Sequence, residues 1–247
     1  MNFNRASLSE TADIETSSDD YARRFEGEIG KWFLQIQEEA TLRMLSGFQG
    51  RRILDVGGGH GQLTPGLIRQ GFDVTVLGSD EVCRNRIKPF LRKGQCQFKV
   101  GDILNLPYQN QSFDGVVSFR LLPHVGEWKR FLGEITRVSQ KMVLIDYPTV
   151  KSVNSMTPLF FNFKKRLEGN TRGYTSFHEK ELLEIFKLHG FIPESRFPEF
   201  FLPMVLHRVL KSPKVSSMTE KIFRKLGLTS LLGSPVILKL VRESVNS

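Results

Sequence analysis

The chain has 247 residues, 40% of them apolar and 25% charged, with two cysteines and a formal net charge of +9. That length carries one sizeable core and is short for two. No apolar run reaches the length of a membrane-spanning helix, and two cysteines make neither a disulfide framework nor a metal site. The charge is uneven: residues 1–50 hold 5 basic and 9 acidic side chains, 51–150 hold 14 and 9, and 151–247 hold 16 and 8. A basic C-terminal third suits an anionic partner or a plainly solvated surface. Cys83 and Cys96 read as small core residues, and a reducing cytoplasm is the expected setting.

Residues 1–18 are polar, acidic and rich in Ser and Thr. They read as a flexible lead-in without the form of a secretory signal. Residues 19–48 read as one helix, with Ile29, Trp32, Phe33, Ile36, Ala40 and Met44 at helical spacing and Ser17, Ser18 or Asp19 as N-cap. Strands then alternate with helices. Strands are expected at 52–56, 73–77, 95–100, 113–119 and 141–146. Helices are expected at 61–70, at 81–92 with a break at Pro89, and around Trp128, Phe131, Leu132, Ile135 and Val138. Ser176 and Glu179 form a capping box for a helix running to His189. Residues 191–202 read as a Phe-rich strand, 203–233 as short basic helices, and 234–242 as a last strand. Such alternation implies one doubly wound α/β domain over 19–247: a helical cover (19–50), a core (51–147), substrate-side elements with an insert (148–233) and a terminal strand (234–247). Ligands then sit at the carboxyl ends of the strands.

The most informative stretch is residues 52–65, where an apolar strand ends in Asp55 and runs into Gly57, Gly58, Gly59 and Gly61. A turn without Cβ atoms lets a ligand lie on backbone amides at a helix N-terminus. The dinucleotide spacing G-x-G-x-x-G fails, because its third glycine would fall on Gln62. The pattern present, acid-x-G-x-G-x-G, resembles the first motif of the class I S-adenosylmethionine-dependent methyltransferases. Gly101-Asp102-Ile103 and the run from Ser112-Phe113-Asp114 to Leu121-Leu122-Pro123-His124 are similar to later motifs of that family, in the branch that includes quinone C-methyltransferases.

The resemblance implies a Rossmann-like sheet of seven mostly parallel strands, the last one antiparallel, and S-adenosylmethionine as cofactor. Gly57, Gly58, Gly59 and Gly61 would hold its methionine end, with Asp55 orienting the turn and the amino group. Asp102 would meet the adenine amino group and Ile103 its ring. The family's acid at the tip of the second strand, which takes the ribose hydroxyls, is here Gly78. Asp80 reaching back, Ser79 or backbone would replace it, unless Asp80 only caps the next helix. Phe119 and Arg120 would line the methyl site, and Tyr21 would fold over the cofactor. If the acceptor must lose a proton, His124 leads as base, with His178 and Tyr174 behind it. Arg120, Arg172, Phe160 and Phe163 would contact a greasy acceptor.

The resemblance therefore points to an enzyme that methylates a small or lipid-like acceptor on oxygen or carbon by in-line displacement. It requires that the glycine turn leave room for an adenosyl group. No Asn/Asp-Pro-Pro-Tyr and no Pro-Cys pair occurs, which argues against nucleic-acid bases as substrate. Three alternatives stay open: a methyltransferase-like module without catalysis, an RNA-directed enzyme, and a peripheral membrane contact through 203–233. Oligomeric state is not legible.

Overall fold

The computed structural model describes residues 10–153 and 174–243. Seven strands form one sheet in the order β3-β2-β1-β4-β5-β7-β6. They are β1 (Arg52–Val56), β2 (Asp73–Gly78), β3 (Cys96–Val100), β4 (Phe113–Ser118), β5 (Ser139–Tyr147), β6 (Phe191–Pro198) and β7 (Val236–Arg242). The first five pair in parallel, and β7 runs antiparallel between β5 and β6, with Ile145 opposite Leu238. The expected sheet is thus present, within a residue or two at most strand ends. Strand order reverses between β1 and β4, which places the ligand crevice outside their carboxyl ends.

Helices cover both faces because the central strands are apolar on both. Leu54, Val56, Val116, Val143 and Ile145 pack under α6 (Trp128–Val138) and α7 (Glu179–Leu188). Ile53, Val74, Val76, Val117 and Leu144 pack under α3 (Gly27–Met44) and α4 (Thr64–Arg69). Trp32 and Phe33 of α3 build a third cluster with Phe200.

Several helices differ from the expected limits, each for a local reason. The lead-in is no tail over residues 10–18: α1 (Ala12–Thr16) is folded, with Ala12 and Asp13 fully buried. The expected helix 19–48 is two, α2 (Asp19–Arg23) and α3, because Gly27, the first residue of α3, takes a left-handed φ of 72° that breaks the helical path. Ser18 does cap α2, accepting from Tyr21 N–H at 3.1 Å. The helix expected at 61–70 begins only at Thr64. Residues 81–92 split into a 3-10 turn (Glu81–Arg84) and α5 (Lys88–Arg92), whose first turn carries Pro89. His178, not Ser176, is the N-cap of α7. The basic stretch after β6 folds as α8 (Met204–Leu210), α9 (Pro213–Lys225) and α10 (Leu228–Leu232). No helix among the described residues is long and apolar enough to cross a membrane.

Asp114 ties the start of β1 to β4 by accepting from both Arg51 N–H and Arg52 N–H at 2.9 Å. Partial burial alone would raise its carboxyl, but those two donors and the charges of Arg52 and Lys141 outweigh it and hold the group below its ordinary value. The resulting support is complete above about pH 4 and fades as the pH falls through the folded value. Asp114→Ala should therefore cost about 1–3 kcal/mol at neutral pH. Thermal melts should show that loss shrinking toward about pH 3; a loss that stays constant across this range would remove the ionic part of the account.

Candidate functional site

Gly57 leaves β1 with φ of 75°, a left-handed conformation that glycine adopts without strain. Its N–H donates to Leu77 O at 2.8 Å, so the turn is anchored on β2. His60 anchors the other side. Gln62 N–H donates to its Nδ1 at 3.2 Å, so the ring proton sits on Nε2, 3.3 Å from Phe119 O. Burial, and then the Arg120 charge, push this imidazole down to about 3, so it stays neutral.

Under the turn lies Asp55, fully buried. Neither of its carboxylate oxygens closes a hydrogen bond. Burial pushes the group up to about 7, against the opposing effect of the nearby Thr64 hydroxyl. A Cβ on Gly58 would collide with this carboxylate, so the third residue after Asp55 has to be glycine.

The crevice above the turn is filled by the chain itself. α1 packs against both the glycine turn and the 3-10 turn that follows β2. Asp13 accepts from Ser79 N–H at 2.6 Å and from Ser79 Oγ at 2.5 Å, with Cys83 Sγ at 3.4 Å. Burial holds the Asp13 carboxyl above its ordinary value. Ser17 Oγ lies 2.5 Å from where a Cβ on Gly59 would stand, and Leu121 Cδ2 lies 2.6 Å from the same point on Gly57. Ala12 joins the core cluster of Leu77, Ile103, Leu104 and Leu121. The expected open room over the turn is thus taken by α1 and Leu121. Nothing local in the chain signals this, because short polar residues such as those of 10–18 read as unstructured.

The remaining candidates divide. At the tip of β2, a Cβ on Gly78 would lie 2.7 Å from Cys83 Cβ, so no side chain fits there. Asp80 caps the following turn through Val82 N–H at 2.9 Å instead of reaching back. Asp102 turns onto its own loop, accepting from Leu104 N–H at 2.8 Å, and Ile103 is in the core. Phe119 presents only its carbonyl to the turn, since its side chain lies in the core beneath α3 and α4. His124 and Tyr174 do meet, ring to ring at 5.7 Å, and Thr175 N–H donates to Pro123 O. His178 stands exposed at the start of α7. Phe160, Phe163 and Arg172 lie outside the described residues.

Arg120 does not project as a free substrate contact. It has φ of 59° and is 8% exposed, with its guanidinium stacked 3.7 Å from the Phe25 ring centroid. Its N–H donates to Asp146 Oδ1 at 2.6 Å, and its Nε donates to Gln37 Oε1 at 3.2 Å. Gln37 Nε2 in turn donates to Asp146 Oδ2 and to Glu199 Oε1, at 3.2 and 3.0 Å. Arg120 Nη1 has no hydrogen-bond partner. Burial lowers the Arg120 pKa, while Tyr21, Asp146 and Glu199 hold its charge in place. Tyr21 therefore belongs to this cluster, and it also stacks under Arg24. Gln37, Asp146 and Glu199 were missed in the sequence, because they come from α3, the end of β5 and the residue after β6.

Burial raises Asp146 to about 6 and Glu199 to about 8, the latter helped by the Asp146 charge. A carboxyl raised on folding supports the fold while protonated. That support is complete below about pH 4 and is lost as the pH rises through the folded value. Glu199→Gln, which cannot ionise, should therefore melt close to the unaltered protein near about pH 5 and above it beyond about pH 8. A melting difference that does not vary with pH would mean that Glu199 is solvated.

Residues 54–143 match a family profile described as a methyltransferase domain. An O-methyltransferase of Pyrenophora dematioidea is 32% identical over 110 residues, 41% of this chain and 41% of that protein. The ubiquinone biosynthesis O-methyltransferase of Paramagnetospirillum magneticum is 37% identical over 92 residues, 36% of each chain. The chain thus spans about two fifths of the length of such relatives. Among solved structures, magnesium protoporphyrin IX methyltransferase from Synechocystis PCC 6803, with bound S-adenosylhomocysteine, superposes with a TM-score of 0.64 at 15% identity, covering 91% of this chain and 94% of that one. That likeness is one of fold. Sheet order, motif order and family profile agree: residues 54–143 match a methyltransferase domain, and the sheet around them has the fold of solved methyltransferases.

Proposed function

We propose that this protein transfers a methyl group from S-adenosylmethionine to oxygen or carbon of a small or lipid-like acceptor. The observation that carries the proposal is Asp55, a wholly buried carboxylate with no cationic partner and no closed hydrogen bond, beneath a glycine turn at the strand-order switch. A buried carboxylate is costly unless a cation or donors satisfy it. An amino-acid ammonium group above the turn would do so. Ser79 offers an N–H and a hydroxyl at the tip of β2, both now held by the Asp13 carboxylate. The residues therefore fit an adenosylated methionine once α1 has moved aside.

When bound, that cofactor supplies a methyl group already activated by a sulfonium centre. The protein's part is to orient and to exclude water. Gly57, Gly58, Gly59 and Gly61 would cradle the methionine end, Asp55 its amino group, Ser79 the ribose, and Asp102 with Ile103 the adenine. Gly78 and Asp80 offer backbone only. Phe119 contributes a carbonyl, while Arg120 and Tyr21 stiffen the wall beside the methyl site. For an acceptor that must lose a proton, the paired His124 and Tyr174 are the first candidates, ahead of His178. Relatives named as quinone and O-methyltransferases support a small-molecule acceptor. The closed crevice and the absent acid at Gly78 favour a second reading, a binding module without turnover. It would bind the cofactor yet methylate no phenol or quinol offered.

Calorimetry with S-adenosylhomocysteine tests the proposal. Asp13→Ala releases both Ser79 donors and should tighten binding several-fold, on the order of one charged hydrogen bond. Binding to the unaltered protein should strengthen as the pH rises to about 7 and then level, because a cation needs Asp55 ionised. Asp55→Asn should weaken binding by about 1.5–3 kcal/mol and flatten that pH profile. Silence from both the unaltered protein and Asp13→Ala at millimolar ligand would end the proposal.

A further inference from the structure

Among the described residues twelve large hydrophobic side chains are exposed, and seven of them lie between Val209 and Leu231. Such concentration differs from the scattered apolar residues of an ordinary surface. Three of the seven, Val215, Met218 and Ile222, lie on α9, and a fourth, Leu226, is its C-cap. At 3.6 residues per turn, Lys214, Met218, Lys221 and Lys225 line one edge of its outer face, and Val215, Ile222 and Leu226 line the other. Met218 and Leu226 are each 67% exposed.

On α9 no acid faces outward; Glu39 of α3 borders the groove beside Lys214 and Met218, one acid against three lysines. Residues 203–233 hold six Lys and Arg and one acid, Glu220. Glu220 points inward, accepting from Phe201 N–H and Leu202 N–H at 2.9 Å and meeting His207 Nε2 at 3.0 Å. Arg224 is also turned in, onto the carbonyls of Pro198 and Glu199. What remains outside on α9 is apolar or lysine.

We infer that α9 is a docking surface for an anionic lipid bilayer, its apolar edge in the acyl boundary and its lysines among the phosphates. The charge argues for this occupant over others. A second copy of the same face would bring lysine against lysine. The Phe-rich stretch 154–173 carries four basic residues and one acid, so it too would be repelled. RNA would answer the lysines and leave Val215, Ile222 and Leu226 in water. A helix with lysines beside an apolar edge has the form of those that lie in the plane of a membrane surface. This inference rests on α9 alone and stands apart from methyl transfer.

The test is co-sedimentation of the full-length protein with vesicles, either of phosphatidylcholine alone or with about one third phosphatidylglycerol. The protein should pellet with the anionic vesicles only. Met218→Ser with Ile222→Ser should weaken binding at least about tenfold. Each of Lys214→Glu, Lys221→Glu and Lys225→Glu should weaken it about fivefold or more. All five side chains face solvent, so melting temperatures should hold and a lost signal is not lost folding. No pelleting with anionic vesicles would overturn the inference. So would unchanged binding by the double apolar variant, a dimer in sedimentation velocity that this variant splits, or RNA that competes the protein off the vesicles.

Discussion

Burying a carboxylate without a partner is among the costliest things a fold can do, and Asp55 does it at the strand-order switch. The surrounding geometry follows from that placement. Gly58 has to lack a side chain because the carboxylate fills its space. Gly57 takes a left-handed φ to carry the chain over it. His60 pins the far side of the turn to the end of β4. Raised to about 7, Asp55 can shed its charge when nothing cationic is near and recover it when something is.

The same crevice explains why α1 folds at all. A helix of five residues has little stability of its own in water. It is held here because Ala12 enters the core and Asp13 takes both donors of Ser79. Those donors stand at the tip of β2, where no side chain fits at Gly78. One short segment thus completes the apolar packing and the hydrogen bonding of the open end of the sheet. A nucleoside entering there would have to replace both.

A second constraint lies beside the first. Arg120, Gln37, Asp146 and Glu199 form a buried chain of charge and hydrogen bonds at the ends of β4 and β5. Buried networks of this kind are rigid when every member is satisfied. Arg120 Nη1 is not, which leaves one buried donor of the network without a hydrogen-bond partner. His124 and Tyr174 stand on the loop that follows β4 and on the approach to α7, joined through Pro123 and Thr175.

The sheet was legible before any coordinates because its signals are local. Apolar runs, glycine breaks and the acid before the glycine turn each depend on neighbours a few residues away. So the strands, their parallel pairing and the glycine turn over Asp55 emerged from the chain alone. The occupant of the crevice, the capping role of Asp80 and the partners of Arg120 did not. Asp13 meets Ser79 across 66 residues, and Gln37 meets Glu199 across 162. Contacts at such separations leave no period or spacing in a single sequence; the packed sheet brings those residues together, and only there does a polar lead-in become a buried helix.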